Sequence, residues 1–235
     1  MSPIQQVRRV FARKEPLTPM TPVEQLRSGG LPLRLAQLLV GLWLYGASMA
    51  MLVRGRLGLP AWDVFHVGVQ RHWGASFGTV VIVTSFAVLL LWIPLRQWPG
   101  LGTLANSVLI GVAADATLRV LGPQDGAATR WGLMLGGILL NGLAGALYIG
   151  SQLGPGPRDG LMTGIARRTG RSIRLVRTGL EIAVLTAGWL LGGVVGVGTI
   201  LYAVGIGPVV QALLPVCTRR VDLARAQGGG ELEGR

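Results

Sequence analysis

The sequence predicts an all-α membrane protein in which six transmembrane helices form two inverted three-helix repeats, each with a short re-entrant or interfacial amphipathic helix. Three observations predict it. Half of the 235 residues are apolar, only 14% are charged and the mean hydropathy is +0.53, a balance with too little polar surface for a soluble domain of this length. The chain also repeats itself at an offset of 96 residues: aligned without gaps, residues 33–115 and 129–211 share 24 identities over 83 positions. Finally, each repeat holds three long apolar runs, an odd number, so the second repeat enters the membrane upside down relative to the first.

The repeat is more than shared apolar composition, because its matches fall at the breaks between apolar runs. Leu57, Gly58 and Asp63 align with Leu153, Gly154 and Asp159, and the match continues through Gly68/Gly164, Arg71/Arg167, Gly74/Gly170 and Ser76/Ser172. The 37 glycines are spread through the apolar runs, as they are where transmembrane helices pack closely.

Taken in order, residues 1–30 carry Arg8, Arg9, Arg13, Lys14 and Arg27 among prolines and read as a basic, disordered cytoplasmic tail. Membrane repeat 1 covers 31–122. Its first span, about Leu33 to Val53, has the roughly 20 residues needed to cross a hydrocarbon core of ~30 Å. Asp63 to Trp73 follows, with Asp63, His66 and Gln70 forming a polar stripe beside Phe65, Val69 and Trp73. About 11 residues cover roughly 16 Å, too little for a span. The second span runs from about Ser76, its expected N-cap, to Leu95, and ends in a Trp92, Arg96 and Trp98 boundary suited to lipid headgroups. The third covers about Leu101 to Leu121, before a turn at 122–126.

Membrane repeat 2 covers 129–217, with spans expected at about Trp131–Gly150, Ile173–Val194 and Gly198–Val216, and residues 218–235 read as a second disordered cytoplasmic tail. With both termini cytoplasmic, 17 of the 22 Lys and Arg fall on the cytoplasmic side, as the positive-inside rule requires. The chain is therefore expected to be multi-pass in a bacterial cytoplasmic (inner) membrane. The second short helix then faces the cytoplasm and the first faces out.

Asp63 and Asp159 each open a short helix after a Gly/Pro break and are expected to serve as N-caps there; with His66, they are also candidates for lining a substrate pathway built from broken helices. Asp115 and Glu181 lie in or beside apolar spans, and each has an arginine four residues away, Arg119 and Arg177, with which an i,i+4 pair is expected. They complete the pathway candidates. Arg158, Arg167, Arg168, Arg171, Arg174 and Arg177 are assigned to topology or lipid-headgroup contacts. His66 and His72 do not share a helical face, so no metal site is expected from them.

No nucleophile elbow, Walker A loop, HExxH or dinucleotide fingerprint is present, so neither enzymatic activity nor a cofactor is expected. The net charge of +12 sits at the ends of apolar runs and not on one amphipathic face, which argues against nucleic acid as a partner. The Leu57–Asp63 and Gly154–Gly160 segments, with Gly74–Thr79, Pro99–Thr103 and Thr169–Ser172, resemble the YczE/YyaS/YitT group of bacterial membrane proteins over about residues 31–216. The resemblance implies a polytopic bacterial inner-membrane protein and assigns no site residue. The expected function is a secondary transporter or permease-like protein whose partners are the lipid bilayer and a small-molecule or ion substrate. The alternative is a membrane accessory protein that binds a partner protein or lipid. Association with a second copy is left open.

Overall fold

The structure, a computed structural model, describes residues 20–219. The parts of the two expected tails at 1–19 and 220–235 lie outside the described residues. All ten elements are helices: α1 Pro22–Arg27, α2 Leu31–Gly55, α3 Ala61–Trp73, α4 Phe77–Leu90, α5 Trp92–Leu95, α6 Leu101–Val120, α7 Ala127–Gly150, α8 Pro157–Thr169, α9 Ile173–Leu190 and α10 Val197–Cys217.

Helix α1 falls inside the segment expected to be a tail. A capping box makes it a helix: Thr21 accepts from the Glu24 backbone N–H, and the Glu24 carboxylate accepts from the Thr21 N–H at 2.7 Å. The Thr21 backbone N–H, and after it the Thr21 hydroxyl, hold the Glu24 carboxyl below its ordinary value.

Five helices are long and apolar enough to cross a membrane: α2, α4 continued through α5, α6, α7 and α10. Their outward side chains are apolar, among them Trp43, Leu90, Ile93 and Val204. The sixth expected span is not among the five. Helix α9 carries Arg174, Arg177 and Glu181 on its first turns, which confines its apolar run to Ile182–Leu190. Trp92, expected at a headgroup boundary, is instead 2% exposed; it packs on Gly160 and donates from Nε1 to the Pro157 carbonyl at 3.0 Å. Trp98 does project outward.

At the centre, α2 and α7 run antiparallel, and two arginines at equivalent positions clamp their ends. Arg34, near the start of α2, donates to the carbonyls of Ser151 (2.8 Å) and Gln152 (2.7 Å) beyond the end of α7. Arg130, near the start of α7, donates to those of Gly55 and Arg56 at 3.0 Å. Each guanidinium meets carbonyls that a helix C-terminus leaves unpaired, at the negative end of its dipole. Helix α6 runs parallel to α2: Arg54 donates to Leu118 O at 2.7 Å, and a Cβ at Gly46 would lie 2.4 Å from the Ile110 carbonyl. This contact requires glycine. Helix α10 runs beside α7 in the same sense, with Gly142 against Ile206 and Val209.

Six long helices and both short helices begin at the 96-residue spacing: α2 and α7, α3 and α8, α4 and α9, α6 and α10. The expected N-cap Ser76 accepts from Thr79 N (3.1 Å), and its repeat partner Ser172 caps α9 in the same way, accepting from Leu175 N (3.3 Å). The halves interlock, because α3 packs on α9 (Val64 and Phe65 against Gly188) while α8 packs on α4 and α5. One difference separates them. Helix α4 packs tightly on α6, whereas α9 is not packed along α10.

Candidate functional site

The two short helices start deep in the molecule and end at its surface. Residues 62–64 and 66–68 of α3 are buried and Arg71 to Gly74 are exposed; α8 follows the same course from buried Pro157 to exposed Arg167. Each is preceded by a glycine in a backbone conformation that other residues rarely adopt, Gly58 at φ 118° and Gly154 at φ 120°. Each break is anchored to the other half. Leu57 O accepts from Gly198 N, and Leu153 O accepts from Gly102 N, both at 2.8 Å. The starts of the two short helices are thereby brought together, and the Arg158 guanidinium lies over the Trp62 ring, 5.5 Å from its centroid.

Asp63 and Asp159 are not N-caps. The cap positions are Pro60 and Gly156, which have no side-chain oxygen to offer, and each aspartate is the third helical residue with no capping hydrogen bond. Both stay in a first turn, at the positive end of the dipole, but their carboxylates serve other partners. Asp63 is 2% exposed, with Oδ1 3.4 Å from His66 Nδ1. Asp159 is exposed and accepts from the Tyr148 hydroxyl at 2.6 Å.

Around them gather all three tyrosines of the chain, which residue-type reasoning passed over. The rings of Tyr45 and Tyr148 meet edge-on at 6.0 Å, and Arg158 Nη2 reaches the Tyr45 hydroxyl at 3.4 Å. Tyr202 donates to Asn141 Oδ1 and Asn141 Nδ2 donates to Ser48 Oγ, each at 2.8 Å. The sequence did hold a signal for them. At the 96-residue offset, Tyr45 aligns with Asn141 and Asn106 with Tyr202, so at these two positions the halves exchange a tyrosine and an asparagine, while Tyr148 aligns with Leu52.

A cavity of about 20 Å³ lies beside this network, lined by Trp62, His66, Ser85, Asn106, Pro157 and Arg158 among others. It has room for about one water. Side chains from both halves line it. Among the described residues no three His, Cys, Asp or Glu come together as metal ligands.

The remaining sequence candidates lie elsewhere. Asp115 does not pair with Arg119; it accepts from Ser76 Oγ and, at 2.7 Å, from Gly78 N, closing the start of α4 onto α6. Glu181 does pair with Arg177, at 2.9 Å, on an exposed face of α9. The arginine cluster divides. Arg158 is in the central network, Arg167, Arg168, Arg171 and Arg174 are exposed near the end of α8 and the start of α9, and Arg168 donates to the Pro94 carbonyl.

Residues 32–215 match the model of a family of unknown function, DUF6198. The chain is 42% identical over 182 residues to an uncharacterized protein of Haemophilus influenzae, covering 77% of this chain and 84% of that protein. It is 34% identical over 202 residues to the uncharacterized membrane protein YczE of Bacillus subtilis, covering 84% and 93%. To the uncharacterized protein YyaS of the same organism it is 24% identical over 187 residues, covering 77% and 92%. No solved structure matches it. An apolar multi-helix chain that resembles YczE over most of its length is a multi-pass membrane protein, and it belongs to the YczE-type family of unknown function DUF6198.

Proposed function

We propose that this chain is a secondary transporter or permease of the bacterial cytoplasmic membrane, with six spans in two inverted halves, both termini in the cytoplasm, and a substrate pathway through the junction of α3 and α8. It has no enzymatic role in this reading. The observation that carries it is one cavity lined by Trp62 and His66 from one half and by Pro157 and Arg158 from the other, with Asp63 Oδ1 3.4 Å from His66 Nδ1. Polar groups and unwound backbone are costly inside a bilayer and occur where they line a pathway.

The antiparallel α2–α7 pair and the exchanged Leu57–Gly198 and Leu153–Gly102 bonds are the contacts an inverted repeat produces, and helix breaks at the repeat interface are where such transporters bind their cargo. The two halves are not in the same state. Asp63 is buried and α4 is held on α6, while Asp159 is exposed and α9 is free of α10, so the centre opens toward the side on which α8 ends. By the positive-inside rule that side is the cytoplasm.

The test is a transport screen of the purified protein in liposomes, comparing wild type with Asp63→Asn and Asp159→Asn. A substrate whose flux falls at least tenfold in both variants supports the reading. No flux of any substrate, with specific capture of one lipid or protein, points to the accessory role.

A further inference from the structure

We infer that Asp63 and His66 form a proton-binding pair, and that the ion coupled to transport is the proton; this rests on the transport reading above. The pair is 2% and 3% exposed, and Asp63 Oδ1 and His66 Nδ1, 3.4 Å apart, have no other hydrogen-bond partner among the described residues. A carboxylate removed from water with so little compensation is costly in its charged form. A proton held between Oδ1 and Nδ1 satisfies both atoms and takes the pair from a charge of about −1 to neutral.

The surroundings are suited to a proton and to nothing larger. The adjoining cavity, about 20 Å³, accepts about one water, which can carry a proton to His66, and the pair lacks the further ligands a metal cation would need. Among the described residues Arg158 from α8 is the one cation facing the pair, with the Tyr45 and Tyr202 hydroxyls of α2 and α10 beyond it. Helix α4 presents Phe77, Thr84 and Ser85, and α6 presents Asn106. Asp115 of α6 is engaged with Ser76 and Gly78, Arg177 and Glu181 of α9 with each other, and His72 of α3 with Gly68 O.

Arg158 gives the proton an effect. Both Asp63 and Asp159 act electrostatically on its guanidinium. Without the proton, the Asp63 pair competes for it; with the proton, Asp159 does so alone. The proton comes from water on one side, rests on the pair, and returns to water on the other when the centre changes the side it faces. Only O–H and N–H bonds form and break.

The chain has two histidines, so a full-length His72→Gln variant labelled with nitrogen-15 histidine reports His66 alone, with the proton itself as the probe. In a titration run from about pH 9 to pH 4, the His66 signal is expected to report binding of the proton by the pair. Adding Asp63→Asn is expected to weaken that binding tenfold or more, and Asp63→Glu to restore it within about threefold. A His66 signal unchanged over the whole range, or equal in all three proteins, overturns the proposal. A pH dye inside the vesicles separates it from the transport reading. Substrate flux with no internal pH change overturns proton coupling and leaves transport standing, whereas an intact proton site without flux of any substrate supports the pair and removes the transport reading.

Discussion

Trp62 and Arg158 are 96 residues apart in the sequence and in contact in space, with the guanidinium carbon 5.5 Å from the indole centroid. Both are the second residue of a half-helix. Two residues that hold equivalent positions in two copies and also touch each other lie on the axis that relates the copies, so the proposed twofold passes between these side chains. The site is at that axis because both half-helices point their starts at it.

Arg158 is the positive charge between two carboxylates, and its planar group stacks on Trp62 as an ammonium would not. Arg158→Lys is expected to lower stability in detergent by about 1 kcal/mol through the lost stacking. Arg158→Gln is expected to cost about 3 kcal/mol or more, because buried Asp63 then has no cation facing it. Thermal unfolding of the purified variants measures both.

Asp115 closes the start of α4 onto α6 by accepting from Ser76 Oγ and Gly78 N, and its counterpart in the second half is Gln211 of α10, a helix along which α9 is not packed. Asp115→Ala is expected to cost about 1–3 kcal/mol, since the Gly78 N–H loses its acceptor. It is also expected to raise labelling from the outer face at a cysteine placed at Ala75, on a Cys217→Ser background. Unchanged labelling would show that Asp115 does not hold this side closed.

Arg34 is 1% exposed and joins Gln25, Ser28, Ser151 and Gln152 through four hydrogen bonds, with no acid among its partners in the described residues. Its loss leaves buried carbonyls unpaired and frees α1 from the bundle. Arg34→Ala is expected to destabilise by about 3 kcal/mol or more, and Arg130→Ala, at the half-buried equivalent position, by less. Equal losses in the two unfolding curves would mean that burial is not what sets the cost.

Much of the fold was legible because breaks and caps are local. Gly58, Gly154, Ser76 and Ser172 announce their turns and helix starts through residue type and repeat spacing alone. The site was less legible because it is made by the crossing of two halves. Asp63 reads as a cap by its place after Pro60, but the cap falls three residues earlier, at Pro60 itself, which leaves Asp63 inside the first turn beside His66. Tyr45 and Tyr202 look like ordinary aromatic residues of apolar helices until the repeat is aligned and each is found opposite an asparagine. Arg158 reads as one of a surface cluster, since the sequence shows its arginine neighbours and not the Trp62 ring above it. The span expected at Ile173–Val194 is not among the five helices long and apolar enough to cross, because α9 carries Arg174, Arg177 and Glu181.

The central claim is that the two half-helices enter the membrane from opposite faces and meet between Trp62 and Arg158. Ala75 and Arg171, equivalent positions just after the ends of α3 and α8, mark the two entry points. Single cysteines at each, on a Cys217→Ser background in intact cells and in inverted vesicles, report their sides to a membrane-impermeant maleimide. The account predicts labelling of Ala75→Cys from outside only and of Arg171→Cys from the cytoplasmic side only. Labelling of both from the same face would contradict it.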